Sequence, residues 1–410
     1  MKINISKAYI ASQIGCNFLA ILALFGSISL IDSIQIAEML IALSLVNFYQ
    51  GFIGTFISEV FTTKFLKEKS SLHSDYVLAS VLFSLIFSLM IFAISFFGLL
   101  EIQDKYLLLI TVSLFFGAPF YINRADLLLN GKLSNLTMIN IFDCILYIYV
   151  FLSILMIPNF ILTYDILLLR IPIIAIYQLR FINLNLGSSL NSLLKIPKNF
   201  FVRYKELKLA LNLLLKSGVN NLDIIVLAYA VGKDFVPIYK LLQSMKALLM
   251  SFSGTYWKSK IASSINESKL NVKNLKKVIK NIFFITIFFA CVGSILIIVG
   301  IDIINLYPDT FKEIKVEFWL YKTEILLYLS LVAVPYAISQ WTRVVLLLAD
   351  NIIFSSYCYF LISISILIAS LTATSFISFI ITIGVGTFVI VFSYNIFIFS
   401  YVRKKYMRMH

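Results

Sequence analysis

The sequence predicts an all-α integral membrane protein of about 12 transmembrane helices. They are expected in two six-helix lobes related by a parallel pseudo-twofold axis. Three observations carry this expectation. Of 410 residues, 60% are hydrophobic and only 13% are charged, whereas soluble domains carry about 25% charged residues. The apolar residues gather into runs of about 20, the length a helix needs to cross hydrocarbon. The cationic residues then alternate between connecting segments, rich on one side and sparse on the other.

A short basic start (Lys2, Lys7) leads into the first apolar run, 9–31. It is too long for a signal-peptide core, lacks a small-x-small cleavage site and is followed by further spans, so it is helix 1. The next runs place helices 2 to 6 near 37–60, 76–99, 106–128, 136–157 and 161–182. Helices 7 and 8 fall near 210–231 and 235–256, and helices 9 to 12 near 281–301, 324–347, 352–371 and 375–401. Runs of this length exclude strands open to lipid, because unpaired backbone groups are not tolerated there.

An even number of spans puts both termini on one side. One set of segments carries Lys64, Lys67, Lys69, Arg124, Lys132, Arg180, Lys195, Lys198, Arg203, Lys205 and Lys208, the stretch 258–280, Arg343 and the tail Arg403–Arg408. The opposite set carries only Lys105, Lys233, Lys312, Lys315 and Lys322, mixed with acids. The first set is expected to be cytoplasmic, with both termini. The long basic segments 183–209 and 257–280 read as topology signals that also meet anionic membrane lipids. The first divides the chain into an N-terminal lobe (1–190), a basic linker (191–209) and a C-terminal lobe (210–410). The net charge of +14 is therefore a topology signal, and nucleic acid is not an expected partner.

Three short stretches recur in matching order. GCNFLAI (Gly15–Ile21) pairs with GVNNLDI (Gly218–Ile224), FIGTF (Phe52–Phe56) with FSGTY (Phe252–Tyr256), and RADLLLN (Arg124–Asn130) with RVVLLLA (Arg343–Ala349). A duplication of six helices keeps the orientation of the copy, so the halves would be related by an axis along the membrane normal, and alternating access would rock one against the other.

Polar residues interrupt the apolar runs at helical spacing. Lys216, Asn220, Asp223 and Leu227 fall at i, i+4, i+7 and i+11 of helix 7, beside Asn221. Tyr239, Gln243, Lys246 and Met250 repeat that pattern in helix 8, beside Lys240. Gln13 and Asn17 stand at i, i+4 in helix 1, and Ser44, Asn47 and Gln50 lie close to one face of helix 2. Such groups in a span mark a cavity or hydrogen-bonding between helices. Asp223 and Lys246 lie at similar depth and are expected to pair. Arg170 is deep in helix 6, with Asp143 of helix 5 as its expected partner; Arg124 and Arg343 stand at the inner ends of helices 4 and 10. The balance, Lys216, Lys240, Lys246, Arg170, Arg124 and Arg343 against chiefly Asp143 and Asp223, favours an anionic cargo.

The chain offers no catalytic motif, and no cofactor or metal site is expected. Cys16, Cys144, Cys291 and Cys358 lie inside apolar runs without ligand spacing, and read as small buried hydrophobes. His73 and His410 are the only histidines.

The layout and the stretch NNLDIIVLAYAVGKDFVPIYKLLQSM (Asn220–Met245) resemble the Wzx-type polysaccharide flippases. Their superfamily also holds MATE transporters and lipid II flippases. The matching positions are Asn220, Asp223, Gly232 and Tyr239. The resemblance implies a non-enzymatic, multi-pass protein of the bacterial inner membrane. It would move undecaprenyl-pyrophosphate-linked oligosaccharide units, of O-antigen or capsule type, to the outer leaflet by alternating access. The basic groups would receive pyrophosphate, Asp223 is the candidate for ion coupling, and a polysaccharide polymerase and chain-length regulator are implied partners. A MATE-type antiporter and a membrane polysaccharide polymerase are the alternatives. The first suits an acidic cavity, and the second needs a large outer segment bearing Arg or His, which 302–323 lacks.

Overall fold

The computed structural model describes residues 5–30, 33–68, 73–98, 102–156, 162–181, 204–250, 318–339 and 353–407, with scattered positions between 284 and 302 and at 342. The described residues are helical apart from short turns. Among them, seven helices are long and apolar enough to cross a membrane, and a bent pair makes an eighth. The chain divides into two compact units, Met1–Ile225 and Val226–His410.

The first unit starts with α1 (Ile5–Leu30) and α2 (Ser33–Tyr49). The latter passes through a π-helical turn, Gln50–Gly54, into α3 (Thr55–Glu68). α4 (His73–Phe96), α5 (Asp104–Gly117), α6 (Phe120–Leu129), α7 (Leu133–Met156) and α8 (Leu162–Gln178) follow. α1 packs along α7, α5 along α8, and α2 against α5. α9 (Tyr204–Asn221) joins this unit by packing on α2 and the π-helical turn.

Lipid offers no donors, so every irregular turn in a span must find its hydrogen bonds inside the protein. The first unit meets this demand with side chains. Pro172, inside α8, has no N–H to give the carbonyl four residues back. That carbonyl, Leu168 O, accepts the Ser113 hydroxyl of α5 at 2.7 Å. Pro119 separates α5 from α6, dividing the expected helix 4. The carbonyls exposed at this break, Gly117 O and Ala118 O, accept from Gln50 Nε2 (3.2 Å) and the Ser80 hydroxyl. At the π-helical turn, Phe48 O accepts the Ser217 hydroxyl of α9 at 2.8 Å.

The expected single helix 7 is broken. α9 ends at Asn221 and α10 (Asp223–Ala230) leaves at 42°. Asparagine amides compete with the helical ladder for carbonyls. Here Asn220 Nδ2 donates to Lys216 O (2.9 Å) and Asn221 Nδ2 to Ser217 O (3.0 Å), while Asp223 Oδ1 accepts from Ile224 N at the start of α10. Lys216, Asn220, Asp223 and Leu227 therefore do not share one continuous helical face. α1, which contains the counterpart stretch Gly15–Ile21, runs unbroken.

In the second unit Gly232 adopts a positive φ of 137°, open to glycine but strained for other residues. It leads through Lys233–Phe235 into α11, residues 236–250. α12 (Lys322–Tyr328) continues through a π-helical turn, Leu329–Ala333, and on to residue 339. α13 (Ile353–Thr372) and α14 (Phe376–Met407) form a hairpin. Its turn is held by reciprocal bonds between Ser375 and Ser378. Small residues allow close approach, as in membrane helix pairs generally: a Cβ on Gly384 would lie 3.0 Å from Leu331 Cβ, and one on Gly386 would collide with Ser365. Tyr239 of α11 is fully buried, edge-on to Tyr328 and Phe379.

Candidate functional site

In the first unit, α1, α6, α7 and α8 enclose a chain of polar groups. α7 supplies Asn140, Asp143 and Tyr147 at i, i+3 and i+7, which is one helical face. α1 answers with Ser12, Gln13 and Cys16. Both carboxylate oxygens of Asp143 accept from Arg170 Nη1, at 2.9 and 2.8 Å. Cys16 Sγ donates to the same carboxylate at 3.1 Å, and the guanidinium lies 5.0 Å from the Tyr147 ring centre. Cys16 is thus a hydrogen-bonding member of the site, not only a small hydrophobe. Cys291 is exposed, while Cys144 is half-buried and Cys358 buried.

Arg124, on α6, is set differently. Its Nη2 donates to Gln13 Oε1 (2.9 Å) and Asn140 Oδ1 (3.1 Å), and its guanidinium lies 5.7 Å from the Phe120 ring centre. Asn140 Nδ2 donates to Ser12 Oγ (3.0 Å), and Ser12 donates to Tyr9 O (2.8 Å). The structure therefore brings together Arg124, Arg170 and Gln13 of the sequence-derived set. Asn17 and Asn47 are half-buried, on α1 and α2. Lys216, Asn220 and Asn221 are half-buried near the end of α9, and Asp223 is buried at the start of α10.

In the second unit, α11 carries the buried residues Tyr239, Lys240, Gln243 and Lys246. Lys240 Nζ donates to Gln243 Oε1 at 3.3 Å. Lys246 Nζ stands 5.0 Å from the centre of the Tyr336 ring, a contact that favours a cation away from water. The expected partners Asp223 and Lys246 fall in different units.

Some sequence-derived assignments lie outside the described residues: Arg343, the repeat stretches Phe252–Tyr256 and Arg343–Ala349, and the basic segment 257–280. Residues 182–203 of the other basic segment also lie outside, whereas 204–209 form the start of α9. Conversely, the spacing of apolar runs gave Asn140, Ser12 and Cys16 no role. The i, i+3, i+7 stripe on α7 was the signal for Asn140.

No protein-family model matches the chain, and no curated protein matches it. Solved structures do. An inward-facing multidrug resistance MATE family transporter of the MOP superfamily superposes with a TM-score of 0.59 at 12% identity, covering 95% of each chain. A eukaryotic MATE transporter gives 0.60 at 14%, over 96% of this chain and 94% of the other. A MATE structure in the straight conformation gives 0.53 at 13%, over 98% and 97%. The chain has a MATE-like fold of membrane-spanning helices.

Proposed function

We propose that this MATE-like fold serves as a flippase of the Wzx type. Its cargo is an undecaprenyl-pyrophosphate-linked oligosaccharide repeat unit, carried across the bacterial inner membrane by alternating access. The observation that carries the reading is the set of cations placed within the spans. Lys240 and Lys246 are buried in the second unit, and Arg124 is bound by neutral amides in the first. Cations away from water attract an anionic headgroup strongly, and a pyrophosphate supplies one.

The chain acts on this reading as a transporter without chemistry of its own. Both termini face the cytoplasm, and a polysaccharide polymerase and chain-length regulator take the product. Asp223 stays the candidate for ion coupling, and Lys216, Lys240, Lys246, Arg124 and Arg343 for headgroup contact. Export of a cationic drug is the second reading, favoured by the multidrug transporter among the superposed structures.

Deletion of the gene in its host separates these readings. The flippase reading expects single lipid-linked units to build up on the inner face, with loss of surface glycan. Units that reach the outer face unpolymerised would point to a polymerase. An unchanged glycan profile would sink the flippase reading and leave drug export.

A further inference from the structure

The two arginines of the first unit are electrostatically unlike. Arg170 faces a carboxylate, and its charge is matched by Asp143 at 2.8 Å. Arg124 faces only neutral groups: the amide oxygens of Gln13 and Asn140 and the ring of Phe120. Among the described residues no carboxylate lies within ion-pair distance of Arg124, and both amide bonds use Nη2. The N–H groups on Nη1 and Nε meet no acceptor there.

The cradle is also directional. Ser12 gives its proton to Tyr9 O, so its oxygen can only accept, and Asn140 Nδ2 is the donor. That fixes Asn140 Oδ1 toward the guanidinium. Arg124 is thereby oriented before any ligand arrives, which reduces the entropy lost on binding. Arg124 is half-buried and has no counter-charge among the described residues, so an anion there meets an unneutralised guanidinium. Its planar fork suits phosphate oxygens. Arg124 lies about 9 Å from the turn at Asn130–Lys132, at roughly 1.5 Å per residue, close to one end of the helices.

We infer that Arg124, held by Gln13 and Asn140, is an anion-receiving group that binds phosphate oxygens, and that Arg170 is closed by Asp143 and does not. The inference sharpens the proposed function by separating two arginines that the sequence places in one set, and it rests on that reading for the identity of the natural cargo. The ligand chemistry is a phosphate ester or pyrophosphate, either as a free anion or as the headgroup of a lipid.

The test uses the purified full-length protein and two probes. Inorganic pyrophosphate, titrated calorimetrically in an uncharged detergent, reports a free anion. Retention of phosphatidylglycerol from mixed phosphatidylcholine–phosphatidylglycerol nanodiscs, read by native mass spectrometry, reports a lipid headgroup. Asn140→Asp and Gln13→Glu each add a carboxylate beside Arg124 with little change of shape, so they remain informative if Arg124→Gln fails to fold. The expected result is that the wild type engages at least one probe, and that each acidic variant weakens it by about tenfold or more. Which probe responds assigns the source of the phosphate. Wild-type protein that engages neither probe, or acidic variants that bind like wild type, would overturn the inference. The flippase reading is decided separately by transport and glycan readouts, so either can fail alone.

Discussion

Arg170 holds Asp143 through a single nitrogen that donates to both carboxylate oxygens, at 2.9 and 2.8 Å, inside the bundle of the first unit. Breaking such a pair from one side leaves a charge uncompensated and costs about 3–5 kcal/mol, whereas removing both charges is far milder. Asp143→Asn is therefore expected to lower the thermal unfolding midpoint in detergent sharply. Adding Arg170→Gln should recover most of the loss. Equal, additive losses from the two substitutions would show that the pair contributes nothing specific.

Ser113 and Pro172 form a second coupled pair through a carbonyl they share. Ser113→Ala leaves Leu168 O without a donor, because Pro172 cannot supply one. The expected cost is about 1–3 kcal/mol. Pro172→Ala restores a backbone N–H, so it should be more stabilising in the Ser113→Ala background than in wild type. A double-mutant cycle on thermal stability measures that difference, and a zero coupling term would contradict the assignment.

The contact between α9 and the π-helical turn is a third. A Cβ on Gly51 would lie 2.6 Å from Ser217 Oγ but 3.4 Å from Ser217 Cβ. Gly51→Ala is expected to destabilise by about 1–3 kcal/mol through overpacking. Ser217→Ala in the same chain should relieve the clash, although it gives up the bond to Phe48 O. The readout is again the unfolding midpoint of the single and double variants.

The buried lysines of the second unit make a functional prediction. Lys246→Met and Lys240→Met remove charge while keeping length, and each should reduce transport of the pyrophosphate-linked unit by about tenfold or more, in keeping with the roughly 1.5–3 kcal/mol of a hydrogen bond to a charged group. Lys246→Arg should retain much of the activity. The measurement is complementation of a deletion strain, scored by surface glycan at matched protein level. Full complementation by both methionine variants would remove these lysines from the headgroup site.

Much of this architecture is legible in the sequence, because a helix in lipid needs only length and apolarity. The runs holding α4, α7, α13 and α14 coincide with span-length helices. The breaks are legible in part: Pro119 marks the end of α5, and the Asn220–Asn221 pair marks the bend before α10. Treating helix 7 as continuous overlooked how readily asparagine amides take carbonyls from the ladder. Periodicity is local, and pairings across helices are not encoded in it. Nothing in the spacing of Arg124 and Arg170 distinguishes a cation among amides from one closed by a carboxylate. That difference depends on how α7 packs between α1 and α8. The stripe Asn140, Asp143, Tyr147 carried the clue, but its polar members are spread among isoleucines and leucines that dominate the count.

The central claim, movement of an anionic lipid-linked saccharide, is tested most directly in sealed vesicles. The purified protein is reconstituted with undecaprenyl-pyrophosphate-linked repeat units in both leaflets, and an impermeant glycosidase is added outside. The account predicts that units of the inner leaflet become accessible in protein-containing vesicles, so that cleavage proceeds well beyond the outer-leaflet fraction seen without protein. Cleavage that stops at the protein-free level, in vesicles that exchange a cationic dye against an ion gradient, would contradict it and assign the fold to drug export.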